Sequence, residues 1–284
     1  LAREEAGAGM LFCDSASRQR CSHPRWVPNK TMPLPWPPLA SSPRAFTGFA
    51  SAVGVDMSQL EFLDVLGLDD DAIACLPPLL AAILVYPTTP AAQTYLLSLE
   101  DRPTDPVFRL KQLLGGMCGT IAALHALTNL PDELRSEIST PLRRRLDGGP
   151  GHHDSKALEV SELSEFERCD QQSRAVLSST SVREAHMRCA SSSATAAAPA
   201  GERQGRHYLT LIRSGEAGSE ALLVLDGRRD GVLSGGGTTA ATFSRDAAAW
   251  VRALLRSTIQ AEAEQGVVVD HSFSMLALVR RTHT

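Results

Sequence analysis

The chain has 284 residues and a formal charge of −4, with 43% apolar and 21% charged side chains. That is enough apolar material for one large domain or two small ones, and the slight acidity argues against a general nucleic-acid binder, which must neutralise many phosphates. Six cysteines without regular spacing argue against a disulfide scaffold and for a reducing, cytoplasmic setting; the longest apolar run, Leu79 to Tyr86, is too short to span a bilayer.

Residues 1–35 mix Arg, Ser and Pro with no sustained period and read as a poorly ordered tail. The chain opens on Leu rather than Met, so its beginning carries no reading on targeting. Ser42-Pro43 predicts a helix start, a capping residue followed by proline in the first turn, with an end at Gly54. Asp69 to Ala74 predicts a short helix capped by acidic residues. Pro77-Pro78 stops it, and Leu79 to Tyr86 follows as a short buried strand.

Val107 to Leu127 is apolar and interrupted by Gly115-Gly116. A helical or loop segment leads in, and a new helix begins near Cys118 that is apolar nearly all round, hence central. Residues 143–154 are charged and Gly-rich, and a polar helical stretch follows. Ala190 to Gly205 is rich in Ala, Ser and Thr, as a flexible loop would be. Tyr208 to Arg213 and Ala221 to Asp226 are two strands around a Gly215–Gly218 turn. Ser244 to Glu262 is an amphipathic helix. Ser272 to Val279 alternates as a closing strand, with Phe273, Met275, Ala277 and Val279 on one face.

Cys118 is the first residue that carries chemistry. A thiol at a helix N-terminus feels the positive end of the helix dipole and unpaired backbone N–H groups, which favour thiolate and can hold an oxyanion. Taken alone, it reads as well as a small core residue. Its base must come from elsewhere. His125 lies two helical turns away, roughly 10 Å at 1.5 Å per residue, and reads as a satisfied core histidine. His152-His153 sit in a polar loop. Cys13, Cys21 and His23 match no zinc spacing, and His271 and His283 have no evident partner.

His207 opens a strand whose hairpin partner ends in Asp226. A tight turn centred on Glu216-Ala217 would set the two directly opposite, close enough for a carboxylate to hold an imidazole. A chance strand-edge histidine beside a turn aspartate fits the spacing equally well. Gln112, six residues before Cys118, could be folded back by the glycine turn so that its amide donates to an oxyanion.

Four stretches in order carry a resemblance. Lys111 to Leu127, KQLLGGMCGTIAALHAL, resembles the catalytic segment of the ubiquitin C-terminal hydrolase family of papain-like thiol proteases. Val224 to Arg228 resembles that family's strand ending in its catalytic Asp. Phe62 to Leu68, with the strand after Pro77-Pro78, is the third match. Trp36-Pro-Pro-Leu39 before Ser42-Pro43 is the fourth; Trp26-Val-Pro28 resembles the same segment and leaves the domain start ambiguous.

The resemblance implies an α+β fold over residues 36–281, with a mostly antiparallel central sheet packed between helices and a flexible crossover loop at about 186–205. It implies Cys118 as nucleophile, His207 as base, Asp226 as its orienter and Gln112 in the oxyanion hole. Pro38, Leu39 and Asp64 match positions that touch ubiquitin. Ubiquitin and small ubiquitin adducts are the expected partners; nucleic acid, membrane, cofactor and metal are not, and a monomer is expected.

Three departures bear on this reading. Gly116 stands where the family usually has Asn, and Ala40 where it has Glu. His207 and Asp226 are nineteen apart rather than the usual fifteen, and an even excess keeps both on one face of a longer hairpin. The expected activity is hydrolysis of amide, ester or thioester bonds at the C-terminal glycine of ubiquitin. The alternatives are a catalytically weakened ubiquitin binder and another papain-like thiol hydrolase, such as a glutaminase or acyltransferase.

Overall fold

A computed structural model describes residues 36–102, 107–134, 139, 142, 165–192, 205–267 and 271–282. The expected tail over 1–35, the Gly-rich stretch over 143–154, and Cys13, Cys21, His23, His152, His153 and His283 lie outside the described residues.

Local chemistry sets the first elements. Helix α1 (Pro43–Ala52) is capped by Ser42, whose hydroxyl accepts from the Ala45 N–H at 3.3 Å, and Pro43 contributes a pre-set φ in the first turn. It ends at Gly54, which has a φ of 88° that a side chain would resist. Strand β1 (Leu60–Asp64) leads to α2 (Asp70–Ala74), capped by the Asp69 carboxylate. Pro77-Pro78 then cannot continue a helix, and β2 (Leu79–Pro87) follows. Thr89 and Pro90 repeat the cap-and-proline start for α3 (Pro90–Ser98), which runs into the two-residue β3 (Asp101–Arg102).

Residues 107–113 form neither helix nor strand and lead through the glycine turn into α4 (Cys118–Thr128). All eleven residues of α4 are buried, as its all-round apolar pattern predicts. A short α5 (Asp132–Leu134) follows. The polar stretch forms α6 (Glu165–Ser178) and α7 (Thr180–Ser192). Residues 186–192, expected in a flexible loop, are instead the end of α7, and 193–204 lie outside the described residues. The chain closes with β4 (Arg206–Ser214), β5 (Ala221–Leu225), β6 (Val232–Gly237), the long α8 (Phe243–Glu264) and β7 (Ser274–Arg280).

Among the described residues the strands form one seven-stranded sheet in the order β1-β7-β2-β4-β5-β6-β3, with every pair antiparallel. Period-two alternation divides β2 between two cores. Ile83 and Val85 face a cluster with Phe46, Phe49, Leu124 and Leu127 from α1 and α4; Leu84 and Tyr86 face one with Phe243, Trp250 and Val251 from α8. The fully buried Phe46 and Phe49 contribute about 1.5–3 kcal/mol each by burial. In β7, Met275, Ala277 and Val279 share the α8 side as predicted, whereas Phe273 precedes the strand and is partly exposed. The chain is thus α+β, with a sheet between two helical layers, and α4 lies against the centre of the sheet.

Candidate active site

Cys118 is the first residue of α4, and the residue at its N-cap, Met117, makes no side-chain capping bond. The approach of α4 to β4 depends on a missing side chain. A Cβ at Gly119 would stand 3.1 Å from the Leu39 side chain and 3.5 Å from the Tyr208 ring. Thr210 of β4 donates its hydroxyl to the Ala122 carbonyl at 3.0 Å, which fixes helix on strand. The start of α4 therefore abuts the start of β4, where His207 lies.

His207 is 1% exposed, and its Nε2 bonds Asp226 Oδ1 at 2.6 Å. The expected direct opposition of these two residues is corrected by the register. Thr210 pairs with Leu225 and Leu211 with Val224, so the hairpin is centred between Ala217 and Gly218. Asp226 lies just past β5 and reaches His207 diagonally. The shift is two residues, an even number, so both side chains stay on one face, and diagonal neighbours are within reach of long side chains. Oδ1 of Asp226 also accepts the Arg228 N–H at 2.8 Å, which locks the carboxylate to its own turn.

With Nε2 committed to Asp226, Nδ1 of His207 is buried and, among the described residues, makes no hydrogen bond of regular geometry. It faces Cys118, whose ionisation couples to the ring. Burial opposes a charged thiol, but hydrogen bonding and Coulombic attraction from His207, then the Tyr208 backbone N–H and Arg228, outweigh it. The Cys118 pKa falls below the usual thiol value. Burial likewise opposes a charged imidazole; the Asp226 hydrogen bond, then Cys118, outweigh it and raise the His207 pKa. For Asp226, burial is outweighed by His207 and the Arg228 N–H, and its pKa is lowered. All three shifts favour a thiolate, an imidazolium and a carboxylate in line.

Gln112 is held from two sides. Its N–H donates to the Gly227 carbonyl at 2.7 Å, joining it to the Asp226 turn. Its Nε2 donates to the Leu114 carbonyl at 3.1 Å, and Oε1 is buried without a hydrogen-bond partner among the described residues. The segment leading to it is clamped by the far end of α4. The Leu110 N–H donates to His125 Nε2 at 2.9 Å, and the Asn129 amide bonds both backbone groups of Phe108. His125 is therefore a satisfied core histidine, with burial lowering its pKa to about 3.

The other sequence-predicted positions divide. Pro38 and Asp64 are exposed, whereas Leu39 is 3% exposed, and its carbonyl accepts the Tyr208 hydroxyl at 2.9 Å. His271, without an evident partner in the sequence, lies 3.3 Å from Glu262. Among the described residues no group of three His, Cys, Asp or Glu side chains could hold a metal, Cys75, Cys118, Cys169 and Cys189 form no disulfide with one another, and no helix is long and apolar enough to cross a membrane.

Sequence reasoning misses His186 and Tyr208, and names Trp36 only as part of the N-terminal match. Adjacency to His207 was the available signal for Tyr208. His186 gave none, because it stands in a polar helical stretch. Gly116 has a φ of 82°, and a Cβ there would fall 1.6 Å from the Trp36 carbonyl oxygen. The Trp36 backbone thus fills the space a side chain at Gly116 would need.

The chain matches the family model described as ubiquitin carboxyl-terminal hydrolase, family 1, over residues 36–256. It is 27% identical over 254 residues to ubiquitin carboxyl-terminal hydrolase 3 of Arabidopsis thaliana, covering 87% of this chain and 95% of that protein. It is 29% identical over 224 residues to a ubiquitin carboxyl-terminal hydrolase of Aplysia californica, covering 76% and 93%. Its fold is similar to the Trichinella spiralis UCH37 catalytic domain bound to ubiquitin vinyl methyl ester, with a TM-score of 0.59, 16% identity, and coverage of 87% and 96%.

Proposed function

Because the chain belongs to family 1 of the ubiquitin carboxyl-terminal hydrolases, we propose that it is a cysteine-type deubiquitinase in which Cys118 attacks the carbonyl of the C-terminal glycine of ubiquitin. The observation that carries this assignment is the 2.6 Å bond from His207 Nε2 to Asp226, which leaves Nδ1 for the thiol.

The thiolate of Cys118 forms a C–S bond to the glycine carbonyl. Negative charge moves to the carbonyl oxygen, where the backbone N–H of Cys118 and the amide of Gln112 receive it. The imidazolium of His207 gives its Nδ1 proton to the leaving amine, alcohol or thiol as the scissile bond breaks. The thioester is then attacked by water, which loses a proton to Nδ1. The C–S bond breaks, and the thiolate–imidazolium pair is restored. Asp226 stays ionised throughout and holds the ring in place.

Pro38, Leu39 and Asp64 form part of the ubiquitin-binding surface in this reading. Pro38 and Asp64 are exposed and available for contact; Leu39, packed on Gly119, acts by shaping the segment. The enzyme acts as a cytoplasmic monomer in ubiquitin-dependent protein catabolism, without a cofactor. The absence of disulfides among the described cysteines suits a reducing compartment.

Ubiquitin carrying a C-terminal electrophile tests the assignment. The wild-type chain should label at Cys118, Cys118→Ala should not label, and a C-terminal amide reporter of ubiquitin should be turned over while free glutamine is not. Ubiquitin binding without labelling or turnover would instead make the chain a ubiquitin binder.

A further inference from the structure

The segment at residues 36–39 touches both halves of the site. At one end, the Trp36 N–H donates to the Gly115 carbonyl at 3.0 Å, three residues before Cys118. At the other, the Leu39 carbonyl accepts the hydroxyl of Tyr208, the neighbour of His207. Between them, Leu39 packs on Gly119. The segment thus straps α4 to β4 on either side of the thiol.

His186 of α7 fastens the middle of that strap. It is fully buried, with its ring tilted against Trp36 at a centroid distance of 4.6 Å. One ring nitrogen, Nε2, lies 2.7 Å from the Pro37 carbonyl, and the other, Nδ1, lies 2.6 Å from the Thr120 hydroxyl. A carbonyl can only accept, so Nε2 carries the hydrogen. In the neutral ring Nδ1 is then a bare acceptor, and the Thr120 hydroxyl donates to it. Thr120 is fully buried in the first turn of α4, two residues after Cys118. One imidazole therefore joins three elements, α7, the strap and the nucleophile's helix, using both nitrogens. None of the proposed chemical steps uses it.

We propose that His186 is a positioning residue for Cys118: it locks the 36–39 strap onto the first turn of α4 and so holds the thiol against the strand that carries His207. This inference rests on the assignment of Cys118 as nucleophile. Without the lock, α4 and β4 keep their apolar packing, but the thiol and imidazole lose their fixed separation. A fraction of an ångström at that pair weakens the attraction that sustains the thiolate.

The test follows alkylation of the full chain by iodoacetamide, with modification at Cys118 read by peptide mass spectrometry and exposed Cys75 as internal reference. This readout needs no ubiquitin, so a wild-type chain that fails to turn over the ubiquitin reporter sinks the hydrolase assignment without deciding this one. His186→Phe keeps a flat ring and loses both hydrogen bonds. Thr120→Val removes one hydroxyl at nearly constant volume, and Thr120→Ser restores it.

The expected result is a Cys118 alkylation rate at neutral pH lowered about fivefold in His186→Phe and Thr120→Val, in line with one lost buried hydrogen bond. The pH profile should move upward relative to Cys75, Thr120→Ser should lie near wild type, and the double variant should lose little more than either single one. Should His186→Phe fail to fold, the Thr120 pair alone decides. A wild-type rate and pH profile at Cys118 in a folded Thr120→Val chain would overturn the proposal.

Discussion

The Asp226 carboxylate reaches the His207 ring diagonally across a hairpin, at 2.6 Å, and not from the directly opposed position. Its grip depends on parity and on the Arg228 N–H that fixes Oδ1, so replacement of the charge should act on the ring's electrostatics before its geometry. Asp226→Asn should lower kcat/KM about 100-fold or more. The signs follow from the couplings. His207 loses the main influence that raises its pKa, so the alkaline limb of the rate profile moves to lower pH; Cys118 loses a charged partner, so the acid limb moves to higher pH. Steady-state rates against pH with the amide reporter should show a narrower bell, and an unchanged width would count against the ion pair.

In the wild-type enzyme the acid limb reports formation of the Cys118 thiolate and the alkaline limb loss of the His207 proton. The first should lie below the ordinary thiol value of 9.0 and the second above the ordinary histidine value of 6.5. Reading the same profile by alkylation of Cys118 should reproduce the acid limb, since that reaction needs only thiolate.

Gln112 is assigned to the oxyanion, which exists only after attack. Gln112→Ala should therefore lower kcat about 10²–10³-fold and leave KM within a few-fold. A matched loss in KM alone, measured with the ubiquitin amide reporter, would assign the amide to substrate binding.

Gly116 stands where the sequence resemblance leads one to expect Asn, and placing Asn here should not help. The φ of 82° is tolerable for Asn, but a Cβ would meet the Trp36 carbonyl oxygen at 1.6 Å. Gly116→Asn should destabilise the fold by about 2–4 kcal/mol as the strap is pushed away. Denaturant unfolding measures this, and a neutral result would mean that Trp36 is not seated against the glycine turn.

His125 is buried neutral, with a folded pKa of about 3 against 6.5 in the unfolded chain. Between those values the unfolded state binds the additional proton, so stability is full above pH 6.5 and falls as pH drops towards 3. His125→Gln keeps an acceptor for the Leu110 N–H but cannot titrate. Its stability should fall less steeply over that window, by about 1.4 kcal/mol per pH unit, as followed by denaturant unfolding at several pH values.

Much of the layout was legible from local chemistry. The Ser42, Asp69 and Thr89 caps, the proline stops and the apolar helix after Cys118 are decided within a few residues of each element, and such signals survive in sequence. Cys118, His207, Asp226 and Gln112 are proposed as a set on similar grounds, because their order and spacing along the chain resemble a known pattern. Tertiary structure alone decided how they meet. The register of β4 on β5 depends on the whole hairpin and its packing, so a centre inferred from two residues fell one position off. The two nitrogens of His186, the Trp36 carbonyl against Gly116 and the Tyr208 hydroxyl on Leu39 join residues up to 169 apart in sequence. No periodicity encodes such contacts; they exist because close packing of α1, α4 and α7 on one sheet face leaves each buried polar group only those partners.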